Sequence, residues 1–335
     1  MRMTRRQTRH MSRGAAAVMV SFSLLALFGA SALAIDLGNA WQNERHLNTT
    51  SDSAALGAAA RYAIHESGCG STATNLVAAN DADAALVECN PGGGAGTTSA
   101  TGWVEVTTTK EVDYLFGPII GVASQELTST TIVRYGIPSR VRGLRPFALC
   151  VDTLDAIPAF QTWLAAGATT ESPPITIPYG KDDNPEACND GLDVPGNWAL
   201  LDFDGGANQN SDTQEWVLNG YQGMIGTGDY EGDTGSFSQS LQQELASLKS
   251  SGEEFGLPLF GSASDNGSNA SFEIVAFANV RLENYKVSGS ASNRSLTLVF
   301  LPGVLDGECC DDAGLDYGAA ALQICAVDPD DLTDC

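Results

Sequence analysis

Residues 15–35 read AAAVMVSFSLLALFGASALAI, twenty-one positions without a charge. About 20 apolar residues, at about 1.5 Å each along a helix, cross the hydrocarbon core of a bilayer. Ahead of the run stand Arg2, Arg5, Arg6, Arg9 and Arg13, with no acid among the first 13 residues. Such basic flanks stay in the cytoplasm, so everything from Asp36 onward is expected outside it. The competing reading is a cleaved signal peptide, with Ala30-Ser31-Ala32 or Ala32-Leu33-Ala34 as small-residue cleavage sites. Signal peptides carry a shorter apolar region, about 7–15 residues, and the length favours an uncleaved single-pass anchor.

No proline interrupts the chain from Gly14 to Glu66, and Ala54, Ala55, Ala58, Ala59 and Ala60 cluster near its end. Alanine is the best helix former, so span and stalk are expected as one helix of about 50 residues. Gly68 and Gly70 provide its stop. The resulting division is a cytoplasmic basic segment (1–13), a transmembrane helix (14–36), a helical stalk (37–67), an exported domain (68–305) and an acidic, cysteine-rich tail (306–335).

The exported domain reads as mixed α+β. Strands are expected at Trp103–Thr109, Glu126–Tyr135, Trp198–Phe203, Phe272–Tyr285 and Ser295–Leu301, from their β-branched and aromatic content. Helices are expected at Ser211–Tyr221, at Ser236–Leu248 and from an Asp155 N-cap to about Ala166, with Pro158 in the first turn. Tyr114–Ile120 is an apolar block of no clear type. The tail from Asp306, with nine acids and four cysteines, reads as loops held by disulfides.

Charge and residue counts exclude several functions. The chain has 17 basic and 41 acidic residues, and five of the basic ones precede the span. The remainder repels nucleic acid, which requires a basic footprint. The histidines are His10, His46 and His65 alone, so a histidine-based Ser or Cys triad has no base in the domain. No P-loop or dinucleotide fingerprint occurs, and no CxxC repeat points to zinc. No cofactor is expected.

All eight cysteines, Cys69, Cys89, Cys150, Cys188, Cys309, Cys310, Cys325 and Cys335, fall on the exported side, where disulfides persist. Eight cysteines allow 105 connectivities. The preferred scheme joins Cys69 to Cys89 across a short, weakly apolar segment and Cys150 to Cys188, and pairs the tail cysteines among themselves. Adjacent Cys309 and Cys310 are not expected to bond to each other. One loop offers oxygen ligands at alternate positions: Asp202, Asp204, Asn208, Asn210 and Asp212. It departs from an EF-hand, because Ala207 and Thr213 replace the turn glycine and the bidentate glutamate, and an Asx-rich turn is the plainer reading. Within the span, Ala26, Ala30, Ala34 and Gly38 recur every four residues and form a smooth strip suited to helix packing. Alanine is also common in such helices, so the strip has an ordinary explanation too.

Three segments carry a family resemblance. Arg13-Gly14-Ala15-Ala16-Ala17-Val18, Ala34-Ile35-Asp36-Leu37-Gly38 and Ser51-Asp52-Ser53-Ala54-Ala55-Leu56-Gly57-Ala58-Ala59-Ala60 follow in the order seen in TadE/TadG-like proteins of Flp pilus assembly. Pro195–Gly206, Leu257–Phe260 and Phe272–Ala278 are similar to later blocks of Tad-like exported domains. There are two departures. Met19 stands where TadE-type pseudopilins carry glutamate, and no Asp-x-Ser-x-Ser metal motif occurs; Val151–Ala156 lacks both serines. The resemblance implies a non-enzymatic, membrane-anchored component of a Tad/Flp-type pilus assembly or secretion apparatus. It would expose an acidic domain outside the cytoplasm and meet other membrane proteins of that apparatus. The alternatives are an anchored extracytoplasmic hydrolase and a surface binding module unrelated to pili.

Overall fold

A computed structural model describes residues 11–93, 101–179, 188, 197–205, 210–232, 241–264, 270–289, 293–310 and 314–325. Helix α1 is continuous over Met11–Ala63. It has an apolar stretch long enough to cross a membrane, with none of that stretch buried. The uninterrupted sequence needs no break until His65, whose backbone enters the left-handed region with φ 62. Gly68, with φ 111, then turns the chain into α2, Cys69–Asn80. At the turn Arg61 pairs with Glu66 at 2.8 Å.

The segment read as a stalk is packed over much of its length. Ala54, Ala55, Ala58 and Ala59 are fully buried and share a cluster with Ala73 and Val77 of α2 and with Val104, Val106, Val133 and Tyr135. The last four belong to β2 (Gly102–Asp113) and β3 (Ser124–Gly136). Alanine side chains end at Cβ, so the helix can lie close on the sheet. Two polar residues of the same segment set the register: the Ser51 hydroxyl donates to Val106 O at 3.2 Å, and Thr131 Oγ1 donates to Asp52 Oδ1 at 2.8 Å.

Beneath α1 lies a five-stranded sheet in the order β1 (Ala85–Gly92), β2, β3, β15 (Ala319–Cys325), β13 (Gly303–Val304). The expected 103–109 and 126–135 strands are the central pair, antiparallel from Gly102↔Tyr135 to Asp113↔Ser124. Within its described residues the tail is not all loop: β15 pairs with β3 from Ala321↔Gly136 to Cys325↔Ile132. Its Ala319, Ala320 and Ala321 are buried, and this small-residue run was concealed by the acids around it. The tail also supplies β14, Gly307–Cys309, which pairs with β4, Pro138–Val141. Strand β8, Ile225–Gly226, completes that small sheet.

The larger core surrounds a second sheet, ordered β6 (Ile175–Pro178), β12 (Ser295–Phe300), β11 (Ser271–Lys286), β10 (Glu254–Ser264), β5 (Phe147–Cys150), β7 (Trp198–Leu200). Strand β9, Gly228–Glu231, pairs with β11. Helices α3 (Val151–Asp155), α4 (Pro158–Ala165), α5 (Asn210–Asn219) and α6 (Gln242–Ser251) complete the unit. The architecture is α+β, as the residue patterns predict. Asp155 is not the N-cap of α4; it ends α3, Ile157 takes the N-cap position, and Pro158 opens the helix. The Asp155 carboxylate instead accepts from Gln161 Nε2 at 2.9 Å. Phe160 meets Phe300 edge-on at 4.8 Å between ring centroids, which ties α4 to the sheet.

Candidate functional site: the junction of helix and hairpin

Asp36 follows the uncharged run directly and is the sole charged residue between Arg13 and Glu44. It is 6% exposed. Its Oδ1 accepts from the backbone N–H of Leu115 at 2.8 Å, and its Oδ2 from those of Phe116 at 3.0 Å and Gly117 at 2.7 Å. Those amides belong to the tip of the β2–β3 hairpin, where the apolar block of unassigned type forms a 3-10 turn at Gly117–Ile120. A carboxylate that accepts several backbone N–H groups makes strong, charge-assisted bonds. Residue motifs had named Asp36 without giving it a role; its isolation in an apolar stretch was the available signal.

The hairpin runs antiparallel to α1. Val106 lies at Ser51, Val112 clusters with Leu47, and the tip reaches Asp36. A second polar tie lies between. Asp81, the C-cap of α2, accepts from Lys110 Nζ at 2.8 Å, and His46 Nε2 stands 3.7 Å away. Burial raises the Asp81 pKa, but the Lys110 hydrogen bond, the Asp83 amide and the nearby positive charges outweigh it and hold the carboxyl below its ordinary 3.8. A depressed folded-state pKa contributes stability above the ordinary carboxylate range and loses it as pH falls through the folded value. Asp81→Asn is therefore expected to cost about 2 kcal/mol near neutrality. The gap to wild type should close below about pH 4, as thermal melts across pH would read.

The four strip residues lie on the part of α1 that the domain does not cover. Ala26, Ala30, Ala34 and Gly38 are all exposed, and a Cβ built at Gly38 would meet no atom within 4 Å. At about 100° per residue, Ala34 and Gly38 lie on the opposite side of the helix from Asp36. One face of α1 at the level of Asp36 is therefore occupied by the hairpin, and the small-residue face is left open.

Residues 14–61 match the family model of Flp pilus-assembly TadE/G-like (Tad) proteins. The Tad-like segment lies wholly within α1 and includes Asp36, Ser51, Asp52 and the buried alanines. No curated protein and no solved structure matches the chain. In this Tad-like segment the Ile35-Asp36-Leu37-Gly38 piece thus pins the hairpin, and the Ser51–Ala60 piece seats the helix on the sheet.

The remaining candidates are placed as follows. Cys69 and Cys89 are at disulfide distance with Cα atoms 5.8 Å apart, as are Cys150 and Cys188 at 5.9 Å. Cys309 and Cys310, neighbours in the chain, have their sulfurs in contact, with Cα atoms 3.1 Å apart. Cys325 is buried at the end of β15, and Cys335 lies outside the described residues. Cys150, Asp152 and Cys188 bring three metal-type ligand atoms together, but both sulfurs are in the disulfide and Asp152 Oδ2 accepts the Cys188 N–H at 3.0 Å. In the oxygen-rich loop, Asp202 Oδ1 accepts from the N–H groups of Asp204 and Gly205, at 3.2 and 3.1 Å. Burial and the neighbouring Asp204 raise the Asp202 pKa. Asp204 is exposed and Asp212 stands in the first turn of α5. Asn208 and the side chain of Asn210 lie outside the described residues.

Proposed function

We propose that this chain is a non-enzymatic, membrane-anchored component of a Tad/Flp-type pilus assembly or secretion apparatus. Its N-terminus lies in the cytoplasm and its acidic, disulfide-bonded domain outside. The observation that carries this reading is the coincidence of the Tad match with a helix that is pinned to its own domain on one face and bare on the other. The basic residues ahead of the span support the orientation. The bare face carries Ala26, Ala30, Ala34 and Gly38, small residues that let helix backbones approach closely in lipid. Partners are the other membrane proteins of the apparatus.

Ala30→Leu with Ala34→Leu adds bulk to that face and leaves the hairpin side untouched. The double variant should remain in the membrane fraction while losing photo-crosslinks from position 26 to membrane proteins of the apparatus, by about tenfold if close packing contributes 1–2 kcal/mol. Unchanged crosslinking would contradict partner packing on this face. Added protease should digest the domain from outside intact cells; a chain released in soluble form, with its N-terminus near Ile35, would contradict the anchor.

A further inference from the structure

The hairpin tip Tyr114–Ala123 reads YLFGPIIGVA, ten residues without a charge, between Asp113 at one end and Glu126 just beyond the other. Three of its large apolar side chains do not fold back onto the protein: Leu115 is 72% exposed, Ile119 81% and Ile120 74%. A cluster of this kind on a soluble surface marks a contact that is missing from the isolated chain. Its position indicates what covers it. The three Asp36 hydrogen bonds hold the tip's backbone at the level where the uncharged run of α1 ends. The hairpin approaches that level along the helix axis, because successive residues from β2 into the tip meet successively earlier residues of α1, from Ser51 through Leu47 to Asp36. At the same level α1 exposes Ile35, Leu37 and Trp41, and Tyr114 opens the tip. Aromatic residues of this kind concentrate where headgroups meet acyl chains.

We infer that the β2–β3 tip is a second membrane contact: Leu115, Ile119 and Ile120 enter the outer leaflet beside α1, and the occupant of the apolar cluster is the lipid bilayer. This rests on the anchored reading of α1. Its physical logic is that every tip amide inserted beside the helix would need an acceptor in a medium without water, and the Asp36 carboxylate supplies one to Leu115, Phe116 and Gly117. Two contacts, helix and tip, would fix how the domain stands on the membrane, where a single helix leaves it free to swing.

The test uses the full chain in liposomes of neutral phospholipid. Single cysteines are introduced at Ile120, at Leu25 in the span and at Ser247, an exposed position on α6, and each is labelled with an environment-sensitive fluorophore. Lipids carrying a doxyl quencher, near the headgroup end of the acyl chain in one preparation and near its methyl end in another, report contact at the interface and at mid-bilayer. The expected result is quenching at Ile120 comparable with that at Leu25, a blue-shifted emission at Ile120, and neither effect at Ser247. Asp36→Ala should reduce the quenching at Ile120 while leaving that at Leu25. Quenching at Leu25 with none at Ile120 would overturn the inference and leave the anchor standing. Quenching at neither position would overturn both.

Discussion

Asp36→Ala will free the hairpin tip from the helix. The substitution removes the acceptor of three backbone N–H groups at 2.7–3.0 Å, at a residue only 6% exposed. Losing a hydrogen-bonded buried carboxylate costs about 2–3 kcal/mol. The loss is local, because the alanine face of α1, the Ser51 and Asp52 bonds and the Lys110–Asp81 pair still hold the upper hairpin. Amide hydrogen exchange at residues 115–117 should therefore accelerate about 30- to 100-fold, with little change at residues 104–108. Asp36→Asn keeps one acceptor oxygen and should show a smaller effect. Equal exchange in wild type and alanine variant would mean that the carboxylate does not pin the tip.

The second large effect lies in the main core. Cys150 ends β5, the strand between β10 and β7, and Cys188 is buried against it. Their bond closes a loop with a sequence separation of 38, inside which lie α3, α4 and β6. In the chain-entropy account a loop of that length contributes about 4 kcal/mol. Cys150→Ala with Cys188→Ala should lower the thermal midpoint by roughly 10 °C. Reducing agent should lower the wild-type midpoint by at least as much, since it opens the Cys69–Cys89 bond as well, and should lower that of the variant by less. A midpoint within a degree or two of wild type would show that the covalent tie contributes little beyond the packing around it.

How far the residues spoke for themselves differs along the chain. The single helix α1 was legible because an uninterrupted proline-free, alanine-rich run leaves no other option, and β2, β3, β11 and β12 because their β-branched residues are dense. What the stalk does was not legible. Alanines at helical spacing read equally as a solvated stalk or as a packed face, and only the strands opposite, about fifty residues later, decide between them. Strand β15 was hidden for a related reason: Ala319-Ala320-Ala321 is a buried strand segment with small side chains, set among acids and cysteines that pointed to a loop. At the junction, Asp36 could be singled out as a lone charge, but its acceptors' partners are 79 to 81 positions away. The tip that completes the junction looked only like an apolar block with no periodicity. The Asp155 misplacement is of the opposite kind: a good capping residue lost its helix because the helix opens at Pro158, with Ile157, two positions later, as its N-cap.

The most direct test of the functional account is a count of surface pili in cells that lack this chain. The account predicts that pili are lost, that the full-length chain restores them, and that a chain with residues 14–36 replaced by a cleavable signal peptide does not. Normal piliation without the chain would contradict it.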